Sequence, residues 1–317
     1  MSKFIFFKNY NIKTNDKLKK IIYNNVVDKT TKGEKMILST DSTANLPLNL
    51  YKEKEISMIP LQIYLENEIY DDLSTKLPIE EFYNKMKDGA VPKTAQINEQ
   101  NAREYFENLL ATGDDVLHIS FSSSLSGNTS TIIRVANELN ETHSNKLYVI
   151  DSLNASIGEG FLVLYAYDMK QEGKSITEIV EALEQLKNKC CSYFTVDQLK
   201  YLVRGGRVSK FSGVVGSLLN IKPILRVDDE GRLVAYKKVI SRKKSLAGLV
   251  EILKEKIGDK KYVYITHAVA EDDAKIVAEM IEKEIGVKPE IVDLTQVIGS
   301  HTGPGLIAVF FIGKDGK

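Results

Sequence analysis

The segment Val116-Leu-His-Ile-Ser-Phe-Ser-Ser-Ser-Leu-Ser-Gly-Asn-Thr-Ser-Thr131 decides the fold class. Its first part is a short apolar run of the length of a buried strand. Its second part clusters serine and threonine around one glycine, the composition of a turn that opens a helix. From Thr129 to Leu139 the chain reads as that helix. Strand, hydroxyl-rich turn and helix in this order make a parallel βα unit, and open α/β sheets bind their ligands at such turns. Free backbone N–H groups, the helix dipole and the hydroxyls all favour an anion there. The same serines would serve equally as plain helix caps, and both readings stand at this point.

The alternation continues in both directions. Toward the amino end, Met36 to Thr40 reads as a buried strand running into the polar loop Asp41-Ser-Thr-Ala-Asn-Leu-Pro47. Ile56 to Tyr64 reads as a second strand, with a polar return through Glu68 to Asp72, and Pro78 to Met86 as a helix. Asn98 is an N-cap for a helix whose face is Ala102, Tyr105, Phe106, Leu109 and Leu110, stopped by Gly113. Toward the carboxyl end come strand Leu147 to Ile150 and helix Phe161 to Met169. Ser175 then opens a helix with a capping box to Glu178.

Past Lys189 the pattern changes. Cys190 to Val196 is a strand, Asp197 to Val203 a short helix, and Val214, Val215, Leu218 and Leu219 mark a further helical face. Lys222 to Val227 and Arg232 to Val239 flank Asp228-Asp-Glu-Gly231 as a hairpin. Helix Ser245 to Ile257, strand Tyr262 to His267, helix Asp272 to Ile285 and strands Glu290 to Leu294 and Leu306 to Ile312 complete the chain. A hairpin inside an α/β series implies a mixed sheet. The expected fold is therefore α/β in two domains. Residues 36–188 form a mainly parallel sheet flanked by helices, and residues 189–317 a mixed sheet with helices. The Lys- and Asn-rich residues 1–35 read as an appendage, either a short helix over Asp16 to Val27 or disordered.

Composition narrows the function. Lys plus Arg and Asp plus Glu each number 43, for a formal net charge of zero. A general nucleic-acid binder would carry a basic excess. The only cysteines, Cys190 and Cys191, are adjacent and cannot clip a long loop, so a reducing cytoplasm is the expected compartment. No apolar run reaches the ~18–20 residues of a membrane span. Neither G-x-x-x-x-G-K-[ST] nor G-x-S-x-G occurs. His118 within a strand and His143 in a turn read as structural, and His267 as a core or edge residue. Asp41 and Asp151 end strands, where capping is the commoner role and Mg²⁺ ligation the rarer one. His301 stands apart. Three glycines and a proline surround it in Gly299-Ser-His-Thr-Gly-Pro-Gly305, read as a tight loop that lets backbone approach a ligand. Arg204 and Arg207 flank a Gly-Gly turn, where guanidinium forks suit carboxylate or phosphate. Ser241-Arg-Lys-Lys244 reads as a solvated charge run or, as the minority reading, a phosphate or partner contact.

Taken together, these segments resemble the DegV family, fatty-acid-binding proteins that serve as the B subunit of bacterial fatty acid kinase. The resemblance rests on Ser39-Thr-Asp-Ser-Thr-Ala-Asn-Leu-Pro47, Ile59-Pro-Leu61, Lys93-Thr-Ala-Gln96 and Ser122-Ser-Ser-Leu-Ser-Gly127. It continues through Val149-Ile-Asp-Ser152, Gly205-Gly-Arg207, Ile221-Lys-Pro-Ile-Leu225 and His301-Thr-Gly-Pro-Gly305, in order from Met36 to Gly313. It implies two α/β domains with a fatty acid in an apolar tunnel between them. It implies that the carboxylate meets Thr94, Ser126, Gly127 and His301, with Gln96, Arg204 and Arg207 nearby, and that Arg242 and His301 handle the head group or phosphate. No cofactor is implied. The implied partners are a long-chain fatty acid and a separate ATP-binding A-type kinase subunit, with transient contact at the membrane and acyl phosphate as product. Two positions depart from the family pattern: Ala95 stands where serine is usual, and Asn128 where threonine is usual. Two rival readings remain. One is a stand-alone enzyme acting on a small anion, with His301 as acid or base and Ser126 as anion donor. The other is a lipid-responsive protein linked to transcription or of purely structural role.

Overall fold

The computed structural model describes residues 36–208 and 221–317. The appendage and the helical face at Val214 to Leu219 lie outside the described residues. The described residues pack as one compact unit.

The first sheet is parallel, with strand order β2-β1-β6-β7. Its strands are β1 (Met36–Asp41), β2 (Ser57–Ile59), β6 (Asp115–Ser120) and β7 (Leu147–Asp151). It is flanked by α1 (Leu48–Glu53), α3 (Glu99–Leu110), α4 (Asn128–Thr142), α5 (Ile157–Gln171) and α6 (Ile176–Leu186). Asn98 caps α3 by accepting from the Asn101 N–H at 2.8 Å, and the Ser175–Glu178 capping box opens α6 as expected.

Between Ile56 and Tyr64 the expected single strand is in fact two. Pro60 has no N–H to give to a ladder, and the chain changes sheets there. β2 pairs with β1, whereas β3 (Gln62–Leu65) joins β4 (Glu68–Asp71) and β5 (Lys93–Ala95) in a small antiparallel sheet. β5 is three residues long and polar, so no periodicity announced it.

The second sheet is mixed, with order β10-β9-β8-β13-β11-β12. Its members are β8 (Cys190–Thr195), β9 (Ile224–Val227), β10 (Leu233–Lys237), β11 (Ile257–His267), β12 (Glu290–Asp293) and β13 (Ile307–Gly313). The hairpin β9–β10 is antiparallel, and only β11–β12 is a parallel pair. Both faces of the central strands β8 and β13 are buried, and the period of two sorts the residues. On β13, Ile307, Val309 and Phe311 join Leu249, Leu253, Val277 and Ile281 of α8 (Arg242–Lys256) and α9 (Glu271–Ile285). Ala308, Phe310 and Ile312 face the other way, into the core shared with the parallel sheet. Each such large side chain taken fully out of water contributes about 1.5–3 kcal/mol.

Two short helices remain, α2 (Ile79–Lys87) and α7 (Lys200–Gly205) in the body of the chain, and a third corrects an expectation. Gln296–Thr302 is α10, so His301 lies in the last turn of a helix and not in a loop. Gly303, at φ +76°, ends it. Tertiary hydrogen bonds hold this seven-residue helix: Asp72 accepts from the Val297 N–H at 3.1 Å, and Gln296 donates to Leu77 O at 2.7 Å.

Candidate functional site

A cavity of about 310 Å³ lies between the parallel sheet and the mixed sheet. The loops after β6 and β7 supply Phe121, Leu125 and Ala155, and the inner face of the mixed sheet supplies Phe194, Ala308 and Phe310. The lining is mostly apolar, with a few convergent polar groups, as is usual for small-molecule sites.

The polar groups arrive from β5 and the residue after it, from α10, from the turn after β6 and from the segment after α7. Thr94 sits on β5 in register with fully buried Ile63 and so faces inward. Its Oγ1 lies 2.8 Å from His301 Nε2. The other ring nitrogen, Nδ1, is buried with no hydrogen-bond partner. Backbone presses against it, since a Cβ on Gly205 would fall 2.5 Å from that atom. Burial, helped by the positive charge of Arg207, lowers the His301 pKa to about 4. The imidazole is therefore neutral near pH 7 and acts as a hydrogen-bonding group, not a standing charge.

Ser126 follows β6. Its Oγ accepts the Asn128 N–H at 3.2 Å, which leaves its own proton for a ligand. Gln96 packs on Gly127 so closely that a Cβ there would lie 2.0 Å from Gln96 Oε1. Arg207 lines the cavity and is held by its Nε to Leu125 O at 3.3 Å and its Nη1 to Gly205 O at 2.6 Å. Thr94, Gln96, Ser126, Gly127, Arg207 and His301 thus border one cavity. Arg204 does not line it; its guanidinium lies 5.3 Å from the Tyr201 ring centre. Arg242 does not line it either; its Nε donates to Asp273 at 2.8 Å, tying the starts of α8 and α9 together.

The strand-end aspartates act on backbone. Asp41 accepts the Phe121 N–H at 3.2 Å, and Asp151 accepts those of Ser123 and Leu153 at 3.2 and 3.0 Å. His118 is buried against Ser39 Oγ at 3.0 Å, and burial lowers its pKa to about 4. His143 ends α4 beside Leu139 O at 3.1 Å. Ser156, Ser192, Thr266 and Thr302 also line the cavity and were not singled out in the sequence. Small hydroxyl residues inside ordinary strands and helix ends carry no pattern of their own.

The class is thus an α/β protein whose two sheets enclose an apolar chamber, with hydroxyls, an amide, a guanidinium and a neutral imidazole gathered on its wall. The family described as "Uncharacterised protein, DegV family" matches residues 35–314. A DegV domain-containing protein of Clostridium perfringens is 40% identical over 285 residues, covering 88% of this chain and 98% of the relative. One from Lactococcus lactis is 34% identical, covering 88% and 98%. The chain belongs to the DegV family. Among solved structures, a fatty acid binding DegV family protein from Streptococcus agalactiae superposes with a TM-score of 0.81 at 29% identity, covering 89% of this chain and 100% of that one. DegV from Bacillus subtilis, described as a fatty acid binding protein, gives 0.77 at 30% identity with coverage of 89% and 100%.

Proposed function

We propose that this chain binds a long-chain fatty acid, with the tail in the cavity between residues 36–188 and 189–317 and the carboxylate at Thr94, Ser126, Gly127 and His301. Gln96 and Arg207 stand beside that head group. The observation that carries the reading is the apolar chamber with a cluster of donors around the Thr94–His301 pair. The solved relatives described as fatty acid binding support it. A sixteen-carbon tail offers roughly 10 kcal/mol of gross driving force, which a few head-group bonds then orient.

In the finer reading the protein is a cytoplasmic carrier and not itself an enzyme. It presents the carboxylate to a separate ATP-dependent kinase subunit and passes acyl phosphate toward phospholipid synthesis. Arg242 enters this reading as a group that handles phosphate in that assembly and contributes nothing to tail binding.

The test is organic extraction and mass spectrometry of protein purified from bacteria, followed by ATP consumption with an added kinase subunit. Stoichiometric long-chain fatty acid and partner-dependent ATP use are expected. An Arg242→Ala protein should bind fatty acid within about tenfold of the parent yet lose most ATP consumption. Empty protein that turns over a soluble anion without a partner would overturn the reading.

A further inference from the structure

Apart from His301 on α10, the proposed head-group residues come from two segments far apart in sequence, Thr94–Gln96 and Ser126–Gly127, and only non-covalent contacts fix their spacing. One side chain spans them. Asn128 is fully buried at the first position of α4 and does not line the cavity. Its Oδ1 accepts the N–H of Ile97, the residue after Gln96, at 3.2 Å. Its Nδ2 donates to Asp41 Oδ2 at 2.8 Å. Its own N–H donates to Ser126 Oγ at 3.2 Å. Asp41, fully buried at the end of β1, also accepts from the Phe121 N–H at 3.2 Å and from Ser120 Oγ at 3.3 Å. Its other oxygen takes the Thr43 hydroxyl.

The charge arrangement beneath this point supports the same anchor. Glu159 is fully buried, with its carboxyl oxygens 3.1 Å from Thr40 Oγ1 and 3.0 Å from Thr43 Oγ1. Burial and the neighbouring Asp41 raise its pKa well above the carboxylate range, so it keeps its proton. Asp41 is the member of the pair with N–H donors directed at it, from Phe121 and from the Asn128 amide. A carboxamide is the side chain that fits at position 128, because it must give a proton to Asp41 and take one from Ile97. Threonine has one short hydroxyl for two partners. Aspartate lacks the amide N–H that reaches Asp41 and would set two buried carboxyl groups side by side.

We infer that Asn128, anchored on Asp41, is a positioning residue for the head-group site. It holds the segment carrying Thr94 and Gln96 at a fixed spacing from the turn carrying Ser126 and Gly127. This rests on the fatty-acid reading above and adds to it the device that sets the clamp.

The experiment is a binding titration of the full chain with a saturated long-chain fatty acid and with the alcohol of the same length, which has the tail but no carboxylate. Asn128→Ala should lose about tenfold or more affinity for the acid and keep the alcohol within about twofold. Asn128→Thr, a milder change, should lose the acid by several-fold with the same spared alcohol, and it decides the matter if the alanine protein does not fold. Asn140→Ala is the control for a merely structural effect. Asn140 also bridges with both ends of its amide, to Leu147 N and O at 2.8 and 2.9 Å, but away from the cavity. It should melt lower yet bind both ligands as the parent does. Equal loss of acid and alcohol at position 128, or undiminished binding of the acid, would overturn the assignment while leaving fatty-acid binding intact. A parent protein that binds neither compound would overturn the fatty-acid reading and this inference with it.

Discussion

His301 is where burial and chemistry pull in opposite directions. Its pKa is about 4 in the fold against 6.5 unperturbed. Above pH 6.5 neither state holds the extra proton and the residue exacts no cost. Between 6.5 and 4 the unfolded chain takes a proton that the folded chain refuses, so stability falls as pH falls, and the loss levels off below about 4. His118 acts in the same direction. Asp72, raised to about 6 by burial, acts in the opposite one. A difference isolates His301: urea midpoints of the parent should fall more steeply from pH 6.5 to 4 than those of His301→Asn. Equal slopes would mean that His301 ionises freely. At its partners, Thr94→Ala and Ser126→Ala should each weaken fatty-acid binding about ten- to a hundred-fold, since a hydrogen bond to a charged group contributes about 1.5–3 kcal/mol. Unchanged titrations would put the carboxylate elsewhere. Ser126 and His301 stand in local signals, a hydroxyl run and glycine-rich surroundings, whereas Thr94 came only with the family resemblance. Asn128 was visible as a turn residue that departs from the family pattern, and Asp41 as a strand end suited to capping or, more rarely, to Mg²⁺. What joins them to Ile97 is a contact across 31 residues, and no local pattern encodes it.

Helix α10 illustrates the limit for elements. Its sequence, with Gly299 inside and Gly303 and Pro304 just beyond, carries every mark of a turn. It is a helix because its neighbours supply what propensity lacks. Asp72 accepts from its first turn, and Tyr83 donates to Leu294 O at 3.0 Å just before it. Gly299 is required by that packing, since a Cβ there would sit 2.2 Å from Tyr83 Oη and 2.7 Å from its ring. The ring is itself fully buried and cannot swing away. Gly299→Ala should therefore destabilise the protein by about 1–3 kcal/mol through overpacking, despite alanine's better helix propensity. Because α10 carries His301, the same change should displace the imidazole from Thr94 and weaken fatty-acid binding. Chemical denaturation and a lipid titration read the two effects separately. An unchanged midpoint would show that α10 shifts freely, and the account of how it is held would fail. The longer elements were read well, since β1, β6, β13 and α3 have runs or faces long enough for period to speak. The split of Ile56 to Tyr64 between two sheets was signalled by Pro60, and a central proline is the feature to weigh there.

The cavity belongs to no single element. It exists because two sheets, each needing one face covered, meet across residues that do not fill the space between them. Register identifies where the gap is kept open. On the inner face of the mixed sheet Ala308 lies between Phe194 on β8 and Thr266 on β11. All three border the cavity. A small residue between larger neighbours leaves a hollow, whereas the outward-facing Ile307 and Val309 fill theirs. If a fatty tail occupies this chamber, each methylene is worth about 0.8 kcal/mol, or roughly fourfold in affinity. Affinity should then climb by about that factor per carbon until the tail reaches the far wall, and flatten beyond it. Ala308→Leu puts new side-chain volume into the hollow. In a well-packed core such an insertion costs about 1–3 kcal/mol, but here the added carbons have room. The variant should melt no lower than the parent and should flatten at a shorter chain. The measurement is a titration series over saturated acids of increasing length in both proteins, with thermal melts of each. A lower melting point with an unmoved break would show that Ala308 faces packed core and that the tail runs elsewhere. An unchanged melt with a shortened break would locate the tail against the sheet, between Phe194 and Thr266, and tie the protein's choice of chain length to the side chains of three neighbouring strands, β8, β13 and β11.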